Sequence, residues 1–226
     1  MPTAISIALD GGERVSGLLQ APPGARVCYV LAHGAGAGMN HPFMAAAAAG
    51  LAERGIATLR YQFLYMERGS KRPDPPKLAH AAVRAAVAEA ARRLPRLLLI
   101  AGGKSFGGRM TSQAQALEPL PGVRGLAFLG FPLHPAKQPS RERGKHLLDV
   151  QVPMLFLQGT RDTLAVQEEI EPLCSSLGAR ATLKLFEGAD HSFHVPARSG
   201  RTDAQVLDDM LDAFAAWTDG VLVEHG

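Results

Sequence analysis

Long apolar runs and cysteines are scarce in this chain. No stretch approaches the roughly 20 consecutive apolar residues that a membrane-spanning helix needs, and the first residues lack the basic start and apolar centre of a signal peptide. The sequence contains 2 cysteines. Cys28 falls in an apolar run and Cys174 in a predicted helix, which favours buried thiols over a disulfide. We therefore expect a cytoplasmic protein with no membrane partner.

Concentrated charge of one sign is also absent. The 24 Lys and Arg residues against 21 Asp and Glu residues leave a formal net charge of +3, and no basic block interleaved with aromatics indicates nucleic-acid binding. A metal site is weakly supported, because the histidine pairs His191/His194 and His33/His41 lack a tight set of cysteines or acids at ligand spacing. We expect a small-molecule substrate and neither metal nor cofactor, and the oligomeric state stays open.

Strands and helices alternate along the chain, and its 226 residues, 46% of them hydrophobic, suit a single domain over residues 1–226. The predicted strands are 3–9, 14–20, 27–32, 56–61, 97–101, 125–129, 154–158 and 182–186. The predicted helices are 42–54, 78–93, 106–117, 166–177 and 203–218. Nearly continuous apolar strands indicate a mostly parallel α/β sheet with helices on both faces. The segment 131–152 is too short for a full lid domain.

The most informative motif is the pentapeptide GKSFG at 103–107, directly after the apolar run 97–101. A serine on a very tight strand-to-helix turn has strained backbone angles, and side chains two residues before and after it would collide with the turn. Glycine removes both collisions, and Gly108 lets the helix lie close to the sheet. The pattern indicates that Ser105 is a nucleophile.

The same residues also resemble the end of a phosphate-binding loop. That loop needs a glycine five residues before Gly103, so that its backbone amides can curl around phosphate. Leu98 occupies this position inside the predicted strand. Nucleotide binding through this segment is therefore unsupported.

A nucleophilic serine needs a base and an acid that orients the base. Asp162 follows the strand 154–158 and His191 follows the strand 182–186, in the order serine, acid, histidine. The carboxyl ends of parallel strands meet at one edge of a sheet, so the three side chains are predicted to converge. Asp190 is adjacent to His191 in sequence and is interpreted as a loop-stabilising group.

Two backbone N–H groups are needed to bind the oxyanion that forms on the substrate carbonyl. One should belong to Phe106, the residue after the nucleophile, and the other to the loop after the strand 27–32. That loop reads HGAGAG at 33–38 and is small enough to approach a substrate. Ala35 is the preferred second donor and Gly34 the next candidate.

Four motifs give the chain a resemblance to the α/β-hydrolase superfamily, in its small lidless dienelactone-hydrolase-like branch. They are HGAG at 33–36, RYQFLYME at 60–67, GGKSFGGR at 102–109 and GFPLHP at 130–135. A closer resemblance is to a group that includes a testis-expressed vertebrate protein and a subunit of the non-specific-lethal histone acetyltransferase complex. The resemblance implies an α/β-hydrolase fold over nearly the whole chain. Ser105 departs from dienelactone hydrolases proper, which usually carry cysteine there, so their substrate is not transferred.

The predicted function is a serine hydrolase that cleaves a small ester, thioester or lactone through an acyl-enzyme. The alternative is a non-catalytic interaction module that keeps the hydrolase fold.

Tyr65 is expected at the rim of the substrate pocket. Lys104 and Arg109 flank the nucleophile and could favour an anionic substrate, but for Arg109 we favour an ion pair with an acid such as Glu67 that braces the loop.

Overall fold

A computed structural model describes the backbone of residues 1–225 and the side chains of residues 1–223. One eight-stranded sheet has the order β1-β2-β4-β3-β5-β6-β7-β8. Its strands are β1 (Thr3–Ala8), β2 (Arg14–Gln20), β3 (Val27–Ala32), β4 (Ile56–Tyr61), β5 (Leu98–Lys104), β6 (Val123–Leu129), β7 (Met154–Gly159) and β8 (Ala181–Phe186). β2 pairs antiparallel with β1 and β4, and every other pairing is parallel. The predicted mostly parallel sheet is confirmed.

Helices cover both faces of this sheet. They are α1 (Pro42–Glu53), α2 (Leu64–Glu67), α3 (Pro76–Arg93), α4 (Phe106–Leu117), α5 (Gln167–Leu177) and α6 (Asp203–His225). Buried side chains of α1 and α6 share one apolar core, and those of α3, α4 and α5 share the other. The short helix α2 was not predicted, and α6 continues beyond the predicted end at 218.

The apolar central strands are explained by this two-sided cover. Every residue of β3 is buried, and successive side chains of a strand point to opposite faces. Val27, Tyr29 and Leu31 therefore enter the core under α1 and α6, whereas Cys28, Val30 and Ala32 enter the other core. Burial on both faces removes the alternation of polar and apolar residues that a half-exposed strand would show.

The connection between β6 and β7 leaves the sheet at the carboxyl edge of the parallel strands. Between β6 and β7, the only regular element of the described residues is a 3-10 helix at Glu142–Asp149, so there is no full lid domain, as predicted. Cys28 and Cys174 are buried free thiols, also as predicted. No helix among residues 1–225 is long and apolar enough to cross a membrane.

Candidate active site

Ser105 occupies the sharp turn between β5 and α4. Its backbone angles are φ 49° and ψ −116°, a conformation that non-glycine residues rarely adopt because Cβ crowds the backbone. β5 runs to Lys104, beyond the predicted end at 101, so the strand leads directly into the turn. The geometry is that of a nucleophile elbow, in which the strained turn holds the serine side chain out from the end of the sheet.

The glycines around Ser105 are required by close backbone approaches. A Cβ on Gly103 would lie 2.2 Å from the carbonyl oxygen of Ala32, and one on Gly107 would lie 2.6 Å from that of His33. A Cβ on Gly108 would lie 2.8 Å from the carbonyl oxygen of Gly103. Each glycine thus lets the elbow pack directly on the end of β3 or lets α4 pack on β5, as the sequence predicts.

Gly103→Ala should therefore destabilise the protein. The added methyl group meets backbone of β3 that cannot rotate away, and φ of +154° at this position is unfavourable for alanine. We expect a loss of about 3 kcal/mol or more in the free energy of unfolding, measured by urea denaturation. Gly220→Ala is the matched control, because its Cβ meets nothing within 4 Å, and should be neutral or stabilising by about 0.5–1 kcal/mol. Equal stability of the two variants would contradict the packing argument.

The structure brings Ser105, His191 and Asp162 together. Nε2 of His191 lies 2.8 Å from the Ser105 hydroxyl, and Nδ1 of His191 lies 2.6 Å from a carboxylate oxygen of Asp162. An ionised carboxylate only accepts hydrogen bonds, so Nδ1 carries the proton and Nε2 is free to accept one from the serine. The Asp162 side chain is 0% exposed and that of His191 is 23% exposed. Of these three residues, Asp162 is therefore shielded from solvent, and Ser105 and His191 line the adjoining cavity.

Further hydrogen bonds orient the Asp162 carboxylate. The N–H of Leu164 donates to one of its oxygens at 2.7 Å, and Nε2 of Gln158 donates to the other at 2.5 Å. The amide oxygen of buried Gln158 accepts from the N–H of Phe131 at 2.9 Å, which sets the direction of its NH₂ group. Sequence reasoning missed Gln158. The available signal was a polar residue at the end of the otherwise apolar strand β7.

The loop after β3 lies beside the serine. The position of a Cβ on Gly34 would be 3.8 Å from Cβ of Ser105. Phe106 is the first residue of α4, so its N–H has no carbonyl four residues back within the helix. No hydrogen bond within the described residues uses the N–H of Ala35, whereas the N–H of Gly36 donates to the Tyr65 hydroxyl at 3.0 Å. The amides of Phe106 and Ala35 are thus free to bind a substrate oxygen.

Side chains at the end of β4 and just after it hold this loop, a role that the sequence did not reveal. Tyr65 is buried and bonds to Gly36 instead of lying at the cavity rim, so the expected rim position is wrong. Gln62 accepts from the N–H of Met39 at 2.8 Å, and Arg60 donates to the carbonyl of Met39 at 3.0 Å. The RYQFLY segment therefore serves to fix the position of the glycine-rich loop.

His33 fixes the start of the same loop. Its Nε2 accepts from the N–H of Phe63 at 3.1 Å, so Nδ1 carries the proton and donates to the carbonyl of Gly34 at 2.7 Å. Burial lowers the pKa of His33 to about 4, because the charged imidazolium would lose its hydration. His33 stays neutral at physiological pH and acts here as a structural hydrogen-bonding group.

Arg109 does not pair with Glu67. The Glu67 carboxylate accepts from the N–H of Ser16 at 2.6 Å, and within the described part of the chain no carboxylate lies in ion-pair range of Arg109, whose Nε is buried without a hydrogen-bond partner. Burial and the neighbouring positive charge of Arg143 lower the pKa of Arg109. The favoured brace is wrong because Glu67 faces β2 from the end of α2.

A cavity of about 330 Å³ opens beside Ser105. It is lined by Gly34, Ala35, Ala37, His41, Phe43, Met44, Lys104, Ser105, Leu164, His191 and Ser192. Lys104 is thus part of its wall, whereas Tyr65 and Arg109 are not. Asp190 precedes His191 in the chain, and its carboxylate accepts hydrogen bonds from the N–H groups of Ser192 and His194 at 2.8 and 3.0 Å. These bonds agree with its interpretation as a loop-stabilising group.

Comparison with known proteins agrees with this fold. Residues 25–219 match the family model described as an alpha/beta hydrolase domain. The chain belongs to this family.

Solved structures share the fold over nearly the whole chain. A dienelactone hydrolase from Anabaena variabilis superposes with a TM-score of 0.77 at 22% identity, covering 96% of both chains. A lidless α/β serine hydrolase from Xanthomonas campestris gives 0.71 at 20% identity over 94% of both chains. A serine hydrolase homologue from Coxiella burnetii gives 0.75 at 19% identity, covering 93% of this chain and 96% of its own. The predicted lidless, dienelactone-hydrolase-like architecture is therefore confirmed.

Proposed function

We propose that the protein is a serine hydrolase that cleaves a small ester, thioester or lactone. The observation that carries this proposal is the continuous hydrogen-bond chain from the Ser105 hydroxyl through His191 to Asp162, at 2.8 and 2.6 Å. Its nucleophile stands on a strained elbow that a scaffold has no physical need to maintain. The neighbouring free amides of Phe106 and Ala35 supply the donors that acyl transfer requires.

The reaction begins with attack of the Ser105 oxygen on the substrate carbonyl carbon. His191 Nε2 takes the hydroxyl proton, the carbonyl electron pair moves onto oxygen, and the N–H groups of Phe106 and Ala35 bind the resulting oxyanion. The tetrahedral intermediate expels the alcohol or thiol, which receives the proton from His191. Water then attacks the acyl carbon while His191 takes one of its protons; the bond to the Ser105 oxygen breaks, that oxygen receives the proton from His191, and the acid is released.

The cavity supports a small acyl group. Phe43, Met44 and Leu164 provide apolar walls, and Ala35 and Ala37 leave space beside the nucleophile. A volume of about 330 Å³ lies at the lower end of the range for ligand-binding cavities. Esters with acyl chains of a few carbons should therefore react faster than long-chain esters, which would extend outside the cavity.

A fluorophosphonate probe and a series of p-nitrophenyl esters test the proposal. The expected results are covalent labelling at Ser105, located by mass spectrometry of the peptide, and turnover that declines as the acyl chain lengthens. Folded protein that neither reacts with the probe nor turns over any ester in the series would overturn the hydrolase proposal. That outcome would favour the non-catalytic interaction module.

Tyr65→Phe tests how the loop at 34–38 is positioned. Loss of the hydroxyl releases the Gly36 amide, so the neighbouring Ala35 N–H is less well aimed at the oxyanion. We expect kcat/KM for a short-chain ester to fall on the order of fivefold or more. Tyr29→Phe is the matched control, because its hydroxyl bonds to Ala127 inside the sheet core. The argument fails if Tyr29→Phe lowers kcat/KM as much as Tyr65→Phe does.

A further inference from the structure

Lys104 links the nucleophile strand to the loop that carries the histidine. It immediately precedes Ser105 in the chain, and its Nζ donates to the backbone carbonyl of His191 at 2.5 Å. Nζ also lies 5.2 Å from the ring centroid of Phe193 and 5.8 Å from that of Phe43, within the range of cation–π attraction. Two of these three partners belong to the histidine loop.

The ammonium group also lies close to the imidazole itself. A Cβ placed on Gly130 would be 3.0 Å from Lys104 Nζ and 3.5 Å from His191 Nδ1. The absence of a side chain at Gly130 therefore leaves room for both nitrogens. Among the residues with described side chains, no carboxylate lies within ion-pair distance of Nζ, so its charge is not cancelled by direct contact.

The histidine loop needs such a link because its backbone is unusual. Phe193 has φ of +64°, a conformation that costs energy for a bulky residue and persists only where its surroundings enforce it. Its ring stacks on Phe43 at 5.9 Å with an interplanar angle of 9°. Lys104 lies against both rings, so the ammonium, the stacked rings and the carbonyl of His191 form one contact cluster.

We propose that Lys104 is a positioning residue that holds the His191 loop against the nucleophile elbow through its charged hydrogen bond and its contacts with the two aromatic rings. The proposal rests on the proposed function and assigns Lys104 a role in the reaction that does not involve substrate contact. A hydrogen bond from a charged donor is stronger than one from a neutral donor.

The charge on Lys104 is itself sensitive to pH. Burial lowers its pKa to about 8, and the charges of Asp162 and Asp190 partly oppose that shift. His191 and His41 are the other titratable groups in the same cavity wall. Neutral pH lies below this pKa, so Lys104 is mostly charged there. The ammonium charge is lost as the pH rises through about 8. The charged hydrogen bond to the His191 carbonyl, and with it kcat, should therefore weaken as the pH rises through about 8.

Lys104→Met removes the charge and keeps a side chain of similar length. We expect kcat to fall about tenfold with KM changed less than twofold, because the loop that carries His191 loses its charged hydrogen bond. Lys104→Arg should restore most of the activity and extend it above pH 8, because arginine stays charged there. Lys77→Met, on the surface of α3, is the control and should match the unaltered protein.

Two measurements make the outcome decisive. The first compares a neutral ester, p-nitrophenyl valerate, with its anionic analogue, mono-p-nitrophenyl glutarate. A loss confined to the anionic ester would overturn the proposal and make Lys104 a substrate-binding group. The second compares the NMR signals of the His191 imidazole in the two proteins at neutral pH, which needs no turnover. Unchanged signals in Lys104→Met would also overturn the proposal, whereas failure of Ser105 to react with the fluorophosphonate would instead reject the hydrolase function.

Discussion

Ser105→Ala is expected to lower kcat/KM for a short-chain p-nitrophenyl ester by about 10⁴-fold or more. Alanine leaves His191 and Asp162 in place but supplies no oxygen that can attack the carbonyl. The residual rate should come from binding and from the free amides of Phe106 and Ala35 acting on attack by water. Steady-state kinetics give the ratio, and loss of fluorophosphonate labelling gives an independent measure.

Ser192→Ala provides the matched control for this variant. Ser192 lies in the wall of the same cavity, next to His191 in the chain, but its hydroxyl takes no part in the hydrogen-bond chain at Ser105. Its replacement should change kcat/KM by less than about threefold. Comparable losses in the two variants would show that the reaction does not depend on the elbow serine, and unchanged labelling of Ser105→Ala would place the nucleophile elsewhere.

Asp162→Asn is expected to have the second largest effect, a fall in kcat of about 10⁴-fold. Both carboxylate oxygens accept hydrogen bonds, from Leu164 on one side and from Gln158 and His191 on the other. An asparagine must turn its NH₂ group toward one of these donors, because it has only one oxygen. Where that NH₂ faces His191, the imidazole changes tautomer and Nε2 can no longer accept the serine proton.

Asp190→Asn separates this effect from a general loss of negative charge near His191. Asp190 accepts N–H groups of its own loop through one oxygen, which asparagine can supply equally well. Its kcat should fall less than about tenfold, measured with the same ester across pH 5–9. If Asp190→Asn were as defective as Asp162→Asn, the carboxylate that orients His191 would have to be reassigned.

Most strands were predictable from local chemistry. The strands β2, β3 and β4 have the predicted bounds, and turn-forming residues precede each of them: Gly12 before β2, Pro22 and Pro23 before β3, and Gly55 before β4. The bounds of β5 were less accurate, since Gly102 and Gly103 read as a turn but continue the strand at φ of +152° and +154°. These angles are set by the close approach of β3 and β6, which local propensity does not contain.

The choice of Ser105, Asp162 and His191 was also within reach of the sequence. Each follows its own strand, and parallel strands bring their carboxyl ends to a common edge, so order along the chain was enough to place the three at one site. The orientation of their side chains was not predictable in this way. It depends on Gln158, whose partners Phe131 and Asp162 come from different connections.

The chain's apolar periodicity, its glycines and the order of its polar residues at strand ends are local properties, and they were sufficient for the fold class and the three candidate reacting groups. Tertiary packing decided what the polar residues around them do: Tyr65 holds the loop at 34–38, Arg109 has no acidic partner among the described side chains, and Lys104 donates to the carbonyl of His191. The physical reason is the separation along the chain over which each kind of interaction acts. Backbone preferences act over a few residues, whereas a hydrogen bond between a side chain and a backbone group 29 or 87 residues away exists only after the sheet has brought the two within about 3 Å of each other.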